Sequence, residues 1–110
     1  MSFNVVILKA AKADLREIRD YVISKFSESV WLSTSKQLRS VIHLLAVSPH
    51  AGAVPGELEM LNSNDYRQVI SGMNRIIYEV RQDMVYVHAV VDVRRDMASL
   101  LTKRLLRSSI

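Results

Sequence analysis

Apolar positions along the chain change period four times, and each change predicts a new element. Phe3, Val5 and Ile7 alternate with Asn4, Val6 and Leu8, leaving both faces largely apolar, which suits an interior or doubly covered strand. From Ala11 the period lengthens: Leu15, Ile18, Val22 and Phe26 recur at three- and four-residue spacing, with Asp14, Arg16, Glu17, Arg19 and Asp20 on the side assigned to solvent. That spacing predicts an amphipathic helix. Ser27 or Ser29 is placed to cap a second helix, whose stripe of Trp31, Thr34, Leu38, Val41, Ile42 and Leu45 runs on until Pro49. So short a connection predicts an antiparallel helical hairpin.

Residues 48–64 hold both prolines and two of the three glycines without a sustained period, and read as a long surface loop pinned by Leu58, Met60 and Leu61. Strand-like runs then surround two tight turns, Gly72-Met73 and Gln82-Asp83. The first turn pairs Tyr66 with Glu79, Arg67 with Tyr78, Gln68 with Ile77, Val69 with Ile76 and Ile70 with Arg75. The second pairs Val80 with Val85, Tyr78 with Val87, Ile77 with His88 and Arg75 with Val90.

Paired residues share a side, so this register predicts two unlike faces. Val69, Ile76, Tyr78, Val80, Val85, Val87, Ala89, Val91 and Val93, interrupted by Arg67, make a core face for the helical hairpin. Arg67 is expected to form an ion pair with an acid from a helix. Tyr66, Gln68, Ile70, Arg75, Ile77, Glu79, Arg81, Tyr86, His88, Val90 and Asp92 make a mixed face that calls for a partner or partial cover. Beyond it Asp96 is placed to cap a last helix, with Met97, Leu100, Leu101 and Leu105 in its stripe. The fold class is α+β: an N-terminal strand, an antiparallel helical hairpin, a three-stranded antiparallel meander and a C-terminal helix, in one domain over residues 1–110.

Composition narrows the chemistry. The chain has no cysteine, which removes disulfides, thiolate metal sites and a cysteine nucleophile and fits a reducing compartment. Charges at Lys9 and Lys12 cut the first apolar run too short to span a membrane. The net charge of +4 is concentrated at one end, where Arg94, Arg95, Lys103, Arg104 and Arg107 face a single acid, Asp96. His43, His50 and His88 share no ligand spacing, so neither a metal nor another cofactor is expected.

The order of elements, with ADLREIRDYV at residues 13–22, SPHAGAVPGELE at 48–59, YRQVISGMNRIIYEV at 66–80 and VVDVRRDMASLLTKRL at 90–105, resembles the RelE/ParE superfamily of bacterial toxins from type II toxin–antitoxin pairs. The Arg-Arg-Asp followed by a leucine-rich basic helix resembles the ParE branch. The resemblance implies a cytoplasmic growth inhibitor neutralised by a ParD-like antitoxin and, when free, a poison of DNA gyrase. Arg94, Arg95, Lys103, Arg104 and Arg107 would then bind gyrase or its DNA complex. The antitoxin would dock on Tyr66, Ile70, Arg75, Ile77, Tyr86 and His88 and along the helical hairpin. Two alternatives stand beside this reading: a RelE-like ribosome-dependent nuclease using Arg75, Arg81 and His88, and an inactive interaction module. RNA cleavage needs a base, an acid and cations for the developing phosphorane charge; the resemblance implies that a RelE-like nuclease often draws a Tyr or His from near its C-terminus, and the stretch from Met97 to Ile110 holds neither. That absence favours the gyrase reading, in which the protein breaks no bond.

Overall fold

The computed structural model describes residues 2–54, 56, 65–95 and 104. Its elements are β1 (Asn4–Ile7), α1 (Lys9–Lys25), α2 (Glu28–Leu44), β2 (Asp65–Ser71), β3 (Asn74–Arg81) and β4 (Met84–Asp92). The expected pin of Leu58, Met60 and Leu61, and the terminal helix with its Asp96 cap, lie outside the described residues.

Local chemistry sets the start of α2. The Ser27 hydroxyl accepts the Val30 N–H at 3.1 Å, so Ser27 is the cap of α2. The helix ends at Leu44, before Pro49, and turns carry the chain onward. The four strands form one mixed sheet in the order β1-β4-β3-β2. β1 lies at an edge, parallel to β4, with Val5 opposite Val85 and Ile7 opposite Val87. The helical hairpin covers one face: Ala11, Leu38, Ile42 and Leu45 pack against Ile76, Tyr78, Val80, Val85, Val87 and Val90.

The first turn has the expected register throughout, from Tyr66 opposite Glu79 to Ile70 opposite Arg75. Gly72 supplies the positive φ of 60° that the turn requires. The second turn also begins as expected, with Val80 opposite Val85 and Tyr78 opposite Val87, although here a non-glycine, Gln82, takes a φ of 55°. One residue later the register departs. Ile77 pairs with Ala89 and Arg75 with Val91, so His88 is an extra residue, a β-bulge. A one-residue insertion exchanges the faces of everything beyond it. Val90 therefore joins Ile76 under the helices, while Ala89 and Val91 move to the opposite face with Ile77 and Arg75, correcting the expected assignment of all three.

The opposite face is also more enclosed than its sequence implies. Ile77, Glu79, His88, Ala89 and Val91 are all buried within the chain.

The loop after α2 is clamped to the helix-covered face. The Tyr78 hydroxyl donates to the Pro49 carbonyl at 2.7 Å and accepts the Gly52 N–H at 3.0 Å. Arg67 donates to the carbonyls of His50 and Gly52 and to Asp65 Oδ1 at 2.7 Å. Its acidic partner thus comes from its own strand, not from a helix. Gly52 has to be glycine here, because a Cβ would overlap the Gln68 carbonyl and the Tyr78 hydroxyl. Ala53 bonds Gln68 in both directions and covers part of the outer edge of β2.

Candidate functional site

Three groups of residues carry the chemistry. The first is a buried polar cluster around the bulge. His88 donates from Nε2 to Glu79 Oε1 at 3.0 Å, the only arrangement open to a carboxylate that accepts. Glu79 Oε2 accepts from Arg81 Nη2 at 2.9 Å and Nε at 3.2 Å. The Tyr66 ring stands edge-on to the imidazole, with centroids 5.6 Å apart, and the Arg81 guanidinium lies 5.9 Å from the centre of the Tyr86 ring. Burial lowers the His88 pKa, opposed by the bond to Glu79 and assisted by Arg81 and Arg104, so the ring is held neutral. This neutral His88 is only 1% exposed.

That geometry bears directly on the residues named for cleavage. Glu79 joins Arg81 to His88, but Arg75 directs Nη2 to the Val93 carbonyl at 3.4 Å, at the end of β4. The His88 imidazole is buried and bonded to the Glu79 carboxylate. Among the residues expected to meet an antitoxin, Tyr66, Ile77 and His88 are buried, Arg75 and Tyr86 are half-buried, and Ile70 is 52% exposed.

The second group lines a groove of about 640 Å³ between the helical hairpin and the β2–β3 turn. Tyr21 and Val22 of α1, Phe26 at the helix junction, Val30 of α2 and Met73 of the turn supply its apolar walls. Tyr21, Phe26, Val30 and Met73 are exposed, an apolar surface left open among the described residues. Sequence periodicity places Phe26 in the core stripe, but it lies past the end of α1 and is exposed.

The third group is the basic exit from β4. Arg94 and Arg95 are exposed at the rim of the groove. Arg94 donates to both oxygens of Asp92 at 2.9 Å, and its own N–H bonds Asp92 Oδ1 at 2.8 Å. Those bonds hold the Asp92 carboxyl down at about 2. Arg104 is engaged elsewhere, with Asp14 of α1. Lys103 and Arg107 lie outside the described residues. Among the described residues, no three His, Asp or Glu come together to hold a metal ion, and no helix is long and apolar enough to cross a membrane.

Comparison with known proteins agrees with this architecture. A search of curated proteins returned no match. Among solved structures, one described as "Chromosomal ParDE TA system from P. aeruginosa" superposes with a TM-score of 0.71 at 14% identity, covering 84% of this chain and 98% of that one. At that identity the likeness establishes the fold. The family profile described as "ParE toxin of type II toxin-antitoxin system, parDE" matches residues 5–97, from β1 through the bulged strand to the basic exit. The chain therefore belongs to the ParE toxin family of type II toxin–antitoxin systems.

Proposed function

We propose that the chain is a non-enzymatic poison of DNA gyrase in the bacterial cytoplasm, held inactive by a ParD-like antitoxin. The observation that carries this reading is the match to the ParE family over residues 5–97. The burial of His88 against Glu79 supports it from the chemical side, since the one imidazole on a strand is spent on internal structure. In this reading Arg94 and Arg95, exposed and adjacent at the exit of β4, contribute the cationic contact with gyrase or its DNA complex.

The antitoxin's place is the groove. A partner segment that folds on docking must offset its ordering cost by burying apolar surface, and Tyr21, Phe26, Val30 and Met73 present that surface. Ile70, on β2 one residue before the strand ends, extends the contact onto the opposite face. The solved relative comes from a ParDE system, which supports a partner of this kind.

Two assays run side by side test the target: plasmid supercoiling by purified gyrase, and translation on purified ribosomes. Loss of supercoiling with intact message is expected. Cleaved message with normal supercoiling would overturn the reading in favour of a nuclease. No effect in either assay, together with normal growth on induction without antitoxin, would leave an interaction module. For the groove, Phe26→Glu and Met73→Glu each place a charge on a side chain already more than half exposed. Each should weaken antitoxin binding by about tenfold or more, about 1.4 kcal/mol, with the fold retained. Unchanged affinity in both would move the docking site elsewhere.

A further inference from the structure

The two edges of the sheet are finished differently. Ala53 shields part of the outer edge of β2. At the other edge, β1 spends only one side of its backbone: the Asn4 N–H donates to the Asp83 carbonyl at 3.0 Å and the Leu8 N–H to the Val87 carbonyl at 3.1 Å. In a parallel ladder alternate residues turn to the same neighbour, so the N–H and C=O groups of Val5 and Ile7 point away from β4. The Phe3 N–H, on the same outer side, is taken by the Ala46 carbonyl at 2.6 Å. β4 runs on beyond Ile7, but its Val90 N–H donates to Oδ2 of the buried Asp14 at 3.0 Å, so that group is already satisfied. Val5 and Ile7 therefore carry the open backbone of this edge.

The helix beside this edge supplies charge. Residues 29–56 contain no Asp or Glu, and within them Lys36, Arg39, Ser40 and His43 recur at three- and four-residue spacing on one exposed face of α2. Among the described residues neither Lys36 nor Arg39 has an acidic partner. A groove of about 370 Å³ between α2 and β1 is lined by Phe3, Val5, Ile7 and Ile42, with Arg39 and His43 on its wall. The same Arg39 and His43 line a neighbouring groove with Lys36 and the exposed Leu44. Strand edge, apolar lining and cations thus form one continuous surface, which shares no residue with the groove walled by Phe26 and Met73.

We propose that the β1 edge docks an extended acidic segment of a protein partner, which adds to the sheet alongside Val5 and Ile7 while its carboxylates meet Lys36 and Arg39. An added strand offers its own N–H and C=O groups to those two residues. Its side chains alternate between the faces. One set lies over the groove, where aliphatic stems cover Val5 and Ile7 and carboxylates reach the cations; the other lies beside Val6, itself 36% exposed. A sequence alternating acidic and apolar residues satisfies both sets. Nucleic acid would use the cations but neither the strand edge nor the apolar lining, and a second copy paired edge to edge would set one cationic helix face near another with no acid on either. The docking surface is independent of the gyrase and antitoxin assignments, since it draws on none of the residues they use.

Fluorescence anisotropy of a short labelled peptide alternating Val and Glu, titrated with the full chain, tests it. Saturable binding is expected, weakened about tenfold when Lys36→Gln and Arg39→Gln are combined. Both side chains are exposed, so the fold is retained. The same peptide with Lys for every Glu should not bind. N-methylation of either the Glu amides or the Val amides separates backbone pairing from charge: one set faces Val5 and Ile7 and its methylation should abolish binding, whereas the other faces solvent and tolerates it. Sensitivity at Glu marks an antiparallel added strand and sensitivity at Val a parallel one. Absence of saturable binding, an equal response to both methylation patterns, or undiminished binding to the double variant would each overturn the proposal. Displacement of the peptide by a tighter-binding DNA duplex would reassign the surface to nucleic acid, and a chain dimer that excludes the peptide would reassign the edge to a second copy.

Discussion

His88 shows how one side chain couples the sheet to solution conditions. Its neighbours are Glu79 and Arg81 from β3, Tyr66 from β2 and Arg104, and burial among them lowers its pKa from the ordinary 6.5. The folded chain therefore binds a proton less readily than the unfolded chain, and unfolding takes up a proton between the two pKa values. This contribution to stability is complete above the unfolded value and is lost as pH falls through 6.5 towards the lowered folded value. Urea denaturation at about pH 8 and about pH 5.5 should show the midpoint falling on acidification, and His88→Gln should fall less because its amide does not titrate. Equal falls in both proteins would show that His88 is not the group responsible. The bond partners themselves were not legible in the sequence. Glu79 pairs with Arg81 two positions along the same strand, as alternation allows, and the bond from His88 is made at the bulge.

At the scale of elements, the loop after α2 is the segment least described by any period, and tertiary bonds set its start. Tyr78 and Arg67 lie on the helix-covered face and turn their polar ends to the backbone of residues 49–52. Burial raises the Tyr78 pKa, while the bond from Gly52 and the nearby Arg67 oppose that rise, so the hydroxyl stays protonated and able to donate. Tyr78→Phe leaves the Pro49 carbonyl and Gly52 N–H without this partner, and should cost about 1–3 kcal/mol by urea denaturation. Faster proteolysis within residues 48–56 should accompany it. A loss below about 0.5 kcal/mol, the range of an ordinary surface change, would show that the clamp contributes little. The helices were far more legible than this loop. Their stripes, the Ser27 cap and the sharp connection are local features, and the structure departs from them mainly at α2's early end and at Phe26.

At the scale of the molecule, the chain is asymmetric: an apolar groove opens between helices and sheet, and two exposed arginines, Arg94 and Arg95, mark its rim. Replacing both Arg94 and Arg95 by Ala should leave stability within about 0.5 kcal/mol, since both are exposed. If gyrase is the target, as proposed, it should weaken inhibition and flatten its dependence on salt, because fewer cations would remain for an anionic target. Inhibition curves at two salt concentrations provide the measurement, and an unchanged pair of curves would exclude these arginines from the contact. By itself the sequence determined the order of elements, the first hairpin's register and the basic C-terminal end, because periodicity, turn residues and charge act over a few neighbouring positions. Only the tertiary structure decided that β1 stops beside Val87, that His88 bulges, that Val90 faces the helices and that Asp14 is buried. Each depends on groups distant in the chain, such as Asp14 and Val90, 76 residues apart. Whether a polar residue on a helix meets water or the open end of a strand is determined by where its neighbours stop.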